Sequence, residues 1–480
     1  MSFPRRSHTG ALLLFASLFT IPALAADGLP DPTFGVAGAA YITPDDIEAR
    51  ELRPYAALGL PDGKILVAGE RNKFIPSSPF DPHMRAMLAR LNADGTPDAS
   101  FGNIEGIPGL LVLPDLVPET GAGMQIIEAM VRLDDGSIVV AGTASAFGPL
   151  RGFLVKLDAE GTMDTTFGAD GVQLVPDMYV HTLAVDSQGR FVVAGEKAID
   201  SVSHSYVARF DADGAPDAGF GTGGGVVIDW DAAGESRGGY LSTLGITAGD
   251  GILVGGNYEV YGQGFGSDFA IARLDATGAF DTTFAGTGWR VFHRPDDTGE
   301  AFTTIDGIDR LLPTAEGGAV FVGHYQVDDG QGNTSFETVL GGIGADGMMD
   351  GSFGSHGDGF QPVAIAPGAF TRYATGLVRQ ADGNLVAAIS YVGPESSFLA
   401  FRFTPDGMLD ASFGDAGIAS VDMAPGGIFS DPSALALDAQ GRVIVAGMAE
   451  RASPLYELAV LRLTNDSADR IFANGFDGTR

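Results

Sequence analysis

No cysteine occurs anywhere in the 480 residues, which removes disulfide staples, thiolate metal sites, a thiol nucleophile and the acylated cysteine of a lipoprotein. Positive charge is scarce as well: 28 Lys and Arg stand against 61 Asp and Glu, a formal net charge of −33. A polyanion gains nothing by releasing counterions from phosphates, so nucleic acid and anionic membrane surfaces are poor partners. Long apolar runs are missing too. The run from Ala11 to Leu24 is shorter than the roughly 20 residues a helix needs to cross a bilayer, and no later run holds the chain in a membrane as a transmembrane segment.

That first run has another reading. Arg5 and Arg6 precede it and Ala23-Leu24-Ala25 closes it, the charged, greasy, small-residue order of a secretory signal peptide. Residues 1–25 are therefore expected to be a signal peptide, and a cysteine-free exported chain points to the periplasm, cell surface or exterior of a Gram-negative bacterium. Glycine, by contrast, is plentiful: 70 of 480 residues, roughly twice its usual share of about 7%. Such a chain is made largely of turns.

Those turns repeat. Asp94-Gly95-Thr96-Pro97-Asp98-Ala99-Ser100-Phe101-Gly102 recurs at 27–35, 160–168, 213–221, 277–285, 346–354 and 406–414. Every copy keeps an Asp (Asp31, Asp98, Asp164, Asp217, Asp281, Asp350, Asp410) and a Phe (Phe34, Phe101, Phe167, Phe220, Phe284, Phe353, Phe413). A second stretch, Asp62-Gly63-Lys64-Ile65-Leu66-Val67-Ala68-Gly69, alternates with it. A regular array of this kind is one structural unit copied many times.

Four short β-runs fit between one Phe-Gly and the next. The third is continuously apolar, as in Ile138-Val139-Val140-Ala141 and Val443-Ile444-Val445-Ala446, whereas a sheet wetted on one face alternates. Small sheets covered on both faces stack radially around an axis, each keeping its neighbours dry. The expectation is all-β: a seven-bladed β-propeller of four-stranded antiparallel blades over residues 26–464, followed by a short C-terminal tail, 465–480. The motif Asp is expected to accept backbone N–H bonds in an Asx turn, and the Phe to plug the seam between blades. Arg90, Lys156, Arg209, Arg273, Arg402 and Arg462 stand at matching places, with Gly342 in the fifth unit, and are read as structural partners of the motif Asp. The chain begins with a motif lacking strands and ends with strands lacking a motif, so the circle should close by joining the two ends.

The alternation of Asp-Gly-x-x-Asp-x-Ser/Thr-Phe-Gly with Leu-x-x-Asp-Gly-x-Ile-x-Val-Ala-Gly resembles the delta-60 repeat family of bacterial exported proteins, over nearly all of residues 27–463. The resemblance implies a propeller module and brings no catalytic residues with it. The tail, with Ile471, Phe472, Gly475 and Phe476, is similar to a short ending on secreted proteins of some Gram-negative bacteria. Sorting, surface display, or an end docked on the ring remain open for it.

Function on such a scaffold concentrates in the longer loops, which gather on one face. Tyr258, Tyr261 and Phe265 in one loop, with Tyr325 in the next unit, form a candidate aromatic platform for a protein, peptide or glycan. No cofactor is implied: there is no phosphate loop, and Asp211, Asp213 and Asp217 lack the spacing and distal Glu of a calcium loop. The favoured reading is a non-enzymatic binding or scaffolding module acting through its loop face. The alternative is an enzyme with an axial-channel site acting on a sugar or lactone. Acids or His converging at the channel mouth with perturbed pKa values favour the enzyme; an exposed aromatic patch on the loop rim favours the module.

Overall fold

Each repeat folds as its turns dictate, because Asp-Gly and Gln-Gly supply the positive φ of tight hairpins between antiparallel strands: Gly63, Gly136 and Gly189 have φ of 83°, 92° and 77°. The computed structural model describes residues 27–44, 49–73, 83–102, 104, 106–117, 123–145, 150–200, 202–230, 238–261, 265–293, 305–328, 334–363, 370–392, 396–427, 429–452 and 455–465. The expected signal peptide and all but the first residue of the expected tail lie outside them. Among the described residues a single 3-10 turn, Ala248–Asp250, interrupts an all-β chain.

Five discrete four-stranded sheets form in chain order. Before them come β1 (Ala39–Ile42), β2 (Ala49–Gly59), β3 (Ile65–Lys73), β4 (His83–Leu91) and β5 (Leu110–Val112). The first discrete sheet is β6 (Met124–Arg132), β7 (Ile138–Ser145), β8 (Arg151–Leu157) and β9 (Val172–Pro176). The second is β10 (Met178–Val185), β11 (Phe191–Ile199), β12 (Val202–Phe210) and β13 (Gly225–Ile228). The third is β14 (Leu241–Ile246), β15 (Ile252–Tyr261), β16 (Phe265–Leu274) and β17 (Trp289–Phe292). The fourth is β18 (Gly307–Pro313), β19 (Ala319–Asp328), β20 (Thr334–Ile343) and β21 (Phe360–Val363). The fifth is β22 (Phe370–Arg379), β23 (Leu385–Val392), β24 (Phe398–Phe403) and β25 (Ile418–Val421), and the chain ends with β26 (Phe429–Leu437), β27 (Val443–Ala452) and β28 (Leu455–Leu463).

The expectation of seven separate blades is corrected here: five blades are discrete, and the other eight strands make one sheet, ordered β26-β27-β28-β2-β3-β4-β5 with β1 on β28. The physical reason is the meeting of the chain's two ends. Strand β1 pairs antiparallel with β28, Ala39 opposite Leu461. Strand β2, eleven residues long, starts beside the start of β28 and joins it through one parallel pair, Glu51 with Tyr456. The inner strands β2, β6, β10, β14, β18, β22 and β26 each pack on the next, and β26 packs back on β2.

Both faces of each sheet are dry, and alternate residues serve opposite neighbours. Ile138 and Val140 pack on Leu66 and Ala68 of the sheet before, while Val139 and Ala141 pack on Phe191 and Val193 of the sheet after. That is why the second strand of the sheet, the third apolar run of the repeat, is apolar through its middle.

The motif turn is the joint between sheets. Asp98 Oδ1 accepts the Ser100 N–H at 3.0 Å and its hydroxyl at 2.6 Å, while Oδ2 accepts Arg90 Nε at 2.7 Å. The Arg90 guanidinium lies 4.4 Å from the Phe101 ring centre and donates to Ala159 O of the next unit at 2.6 Å. Arg209, Asp217 and Phe220 repeat this arrangement, as do Arg273, Asp281 and Phe284, Arg402, Asp410 and Phe413, and Arg462, Asp31 and Phe34. Lys156 reaches only to 3.9 Å from Asp164. At Gly342 a Cβ would lie 2.6 Å from Phe353, so in that unit the ring fills the space of the missing side chain, and Asp350 keeps its turn to Ser352. All seven motif Phe residues are buried.

Candidate functional site

Each inner strand slips its register by one residue at the same place. The slips leave unpaired Tyr55 on β2, Glu128 on β6, His181 on β10, Ser242 on β14, Asp309 on β18, Thr375 on β22 and Ser433 on β26. A bulge kinks its strand and re-aims one side chain, and bulges collect next to functional sites. Every residue so placed is polar.

Four of them fasten to backbone. Ser242 Oγ donates to Ile308 O and Ser433 Oγ to Pro54 O. Thr375 Oγ1 donates to Ala388 O at 3.3 Å, and Asp309 Oδ2 accepts the Ala374 N–H at 2.8 Å. The other three, on consecutive inner strands, are bonded to side chains. Tyr55 OH donates to Glu70 Oε1 at 3.3 Å, Tyr179 OH donates to Glu128 Oε1 at 3.2 Å, and His181 Nε2 lies 3.4 Å from Glu196 Oε1. The His181 ring stacks on Tyr179 with centres 4.5 Å apart. Arg53 pairs with Glu51 at 2.6 Å, and the Arg310 charge on β18 reaches across to Glu128.

These groups alter one another's protonation. Burial raises the Glu70 carboxyl to about 7, with Glu51 and Glu128 adding to the rise and Arg53 opposing it. Burial likewise raises Glu128, against the pull of His181. Tyr55 and Tyr179 are raised by burial and then by Glu70 and Glu128. On the far side burial pushes His324 down, but Asp309, 2.9 Å from its Nδ1, with Asp306 beyond, outweighs burial and raises it. The result is an arc of phenols, carboxyls, an imidazole and guanidinium groups, with one carboxyl able to give or take a proton near neutral pH. Among the described residues no group of three or more His, Asp or Glu suits a metal ion.

The loop-face platform does not assemble in this form. Strands β15 and β16 run further than the sequence pattern implies, so Tyr261 and Phe265 are the last backbone pair of a hairpin, their side chains outside the described residues. Tyr258 and Tyr325 are buried, at 9% and 5% exposure, in separate clusters, and Tyr325 OH donates to Glu337. A cavity of about 310 Å³ lies elsewhere, beside the Arg273–Asp281 joint. Its guanidinium and carboxylate already bond each other, so it belongs with the joints. The axial residues escaped sequence reasoning, yet a signal exists: Tyr55 precedes Asp62 by seven positions, as Glu128 precedes Asp135, His181 Gln188 and Asp309 Glu316.

Fold and repeat together define a β-propeller repeat protein. The chain is similar to a β-propeller domain of unknown function, DUF5122, over residues 60–101, 133–167, 188–220, 248–284 and 380–413. No curated protein sequence matches the chain. Among solved structures, a protein of unknown function from Dyadobacter fermentans DSM 18053 is similar with a TM-score of 0.47 and 12% identity, covering 90% of this chain and 99% of that one. The polysaccharide lyase Uly1 has a TM-score of 0.47 and 10% identity, covering 86% and 90%. A gluconolactonase of Xanthomonas campestris has a TM-score of 0.31 and 14% identity, covering 69% and 91%. Likeness at this level carries no argument about ligand or chemistry.

Proposed function

We propose that this chain is an exported binding propeller of the delta-60 repeat kind, whose ligand site is the axial arc of Tyr55, Glu128 and His181, not the loop rim. One observation supports this reading: the repeat breaks its symmetry there. Equivalent residues on three inner strands are hydroxyls spent on backbone ties and Asp309 holds both a backbone N–H and His324, while on the three consecutive strands β2, β6 and β10 the residue is ionisable and its neighbourhood is bonded side chain to side chain. Phenols and carboxyls that both donate and accept suit a small, hydroxyl-rich ligand of the sugar class. A second reading, acid–base catalysis on such a ligand, is favoured by the Glu70 carboxyl, raised to about 7, because a general acid or base works best near the operating pH.

The test is a glycan array followed by calorimetry on the purified protein. Binding is expected to fall at least tenfold in His181→Ala and Glu128→Gln while variants of the β15–β16 hairpin tip bind normally. Retained binding in the axial variants, with loss in the hairpin variants, rejects the axial site in favour of the loop face. Turnover of a bound saccharide, lost in Glu70→Gln, selects the catalytic reading.

A further inference from the structure

We infer that the axial site holds its ligand by stacking: a pyranose ring lays a C–H face on a wall made of Tyr179, His181 and Tyr240, and its hydroxyls reach Glu128 and Glu196 beside that wall. The inference rests on the axial reading above and narrows the hydroxyl-rich ligand to a cyclic sugar.

The wall follows from the strands that carry it. Val180 and Leu241 are fully buried in the seams between sheets, so the residues flanking them, Tyr179 and His181 on β10 and Tyr240 just ahead of β14, turn out of those seams. All three stay partly open to solvent, the His181 side chain at 25%. Their rings form one run: Tyr179 and His181 stack with centres 4.5 Å apart and planes 28° apart, and His181 meets Tyr240 at 5.9 Å and 50°. Asn257 fixes the backbone of Tyr240, accepting its N–H on Oδ1 at 3.1 Å and donating its own N–H to Tyr240 O at 3.1 Å. The carboxyls are joined to the same rings. Glu128 Oε1 accepts Tyr179 OH at 3.2 Å, and Glu196 Oε1 lies 3.4 Å from His181 Nε2 while its Oε2 accepts Ser203 Oγ at 3.0 Å. Direct contacts thus run unbroken from Glu128 on β6 to Tyr240.

The fold does not require aromatic rings here. Two positions before the bulged residue, where β10 and β14 have Tyr179 and Tyr240, the other inner strands carry Arg53, Ile126, Gly307, Tyr373 and Asp431, so neighbouring tyrosines occur at this one pair of strands. An aromatic face is electron-rich, and the ring hydrogens of a pyranose, each on a carbon that bears oxygen, are electron-poor. An open-chain polyol offers the same hydroxyls but no rigid face, and it loses more rotational freedom on binding. A nucleotide would also stack, but a net charge of −33 repels its phosphates.

Saturation-transfer NMR on the full chain tests this with methyl β-galactopyranoside, whose one face carries three neighbouring C–H groups, and with galactitol, its open-chain counterpart. Transfer is expected to be strongest at those three hydrogens, and galactitol is expected to bind at least tenfold more weakly. Tyr240→Phe should bind the galactoside as the wild type does, whereas Tyr240→Leu should lose about threefold to tenfold, the worth of an aromatic contact beyond its buried area. Circular dichroism checks that both variants are folded, and the wild-type transfer pattern stands without them. Galactitol binding as tightly as the galactoside, or even transfer over all its hydrogens, overturns the wall and leaves the axial site standing as a reader of hydroxyls. A folded Tyr240→Leu that binds like the wild type does the same. If neither probe binds, the wall is overturned, and the glycan array with His181→Ala and Glu128→Gln still decides the axial site on its own.

Discussion

Ala285 occupies a place that the other six motifs give to glycine. Its φ is 53°, like the 53° of Gly35, 52° of Gly221 and 56° of Gly414, and its N–H donates to Asp346 O of the next unit at 2.7 Å. The left-handed conformation costs an L-residue roughly 1–2 kcal/mol, and the added freedom of glycine in the unfolded chain returns about half of that. Ala285→Gly is therefore expected to stabilise by about 0.5–1 kcal/mol, read as a higher urea midpoint at unchanged slope; a lower midpoint means the strain is not there. Glu70 gives a second test. Its folded pKa, about 7, lies above its ordinary value of 4.5, so the folded state holds the proton more tightly than the unfolded chain. The stability this contributes is complete below about pH 4.5, falls as pH rises, and is gone above about pH 7. Glu51, Arg53 and Tyr55 from β2 and Glu128 from β6 face it. Glu70→Gln should thus gain on the wild type between pH 5 and pH 8, by on the order of 2 kcal/mol, in paired urea titrations. A gap that does not change with pH rules out an unusual Glu70.

The joint between sheets was legible because its chemistry is local. Asp98 reaches Ser100 two residues on, and Arg90 stands eight residues before it, so the turn can be read from one strand and its neighbour. Bulges are not legible in that way: whether Glu128 is paired depends on the register of β7 against β6, which no single strand reveals. Nor could the loop-face tyrosines be placed, because β15 and β19 continue past their apolar centres and carry Tyr258 and Tyr325 into the interior. The joint invites a direct measurement. Arg209 binds Asp217, caps Phe220 and holds Ala276 O across the seam. Arg209→Ala removes all three and leaves Asp217 with Arg190, 3.6 Å away, as its remaining cation. A loss of about 3 kcal/mol is expected, the usual cost of deleting one partner of a buried pair, with Arg209→Lys recovering little because an ammonium cannot stack and fork together. If Lys proves as good as Arg, the guanidinium geometry is not what holds the seam.

Counting repeats located the units but not their division, since pairing between β1, β28 and β2 joins residues more than 400 positions apart, as Ala39 with Leu461 and Glu51 with Tyr456. The same pairing makes the N-terminal motif the closing piece of the molecule. Asp31 accepts Arg462 Nε at 2.8 Å and Arg442 Nη1 at 2.9 Å, Phe34 is fully buried, and the turn-to-turn hydrogen bonds pass through it, Gly414 N to Asp27 O and Gly35 N to Asp94 O. Removing Leu29–Thr43 deletes a buried aromatic, worth about 3–5 kcal/mol, and strips Arg462 of its carboxylate at a similar cost. Together these are comparable to the about 5–15 kcal/mol that holds a typical domain folded. The shortened protein should lose its melting transition as a whole, not one sheet at a time, because each sheet is kept dry by its neighbours. A synthetic peptide of residues 27–43 added in excess should restore the transition, with a midpoint that climbs with the logarithm of peptide concentration. An unchanged melt in the shortened protein means the circle is closed by something other than the fifteen residues removed; a lost transition that the peptide does not rescue means the stretch acts during folding and not in the finished ring.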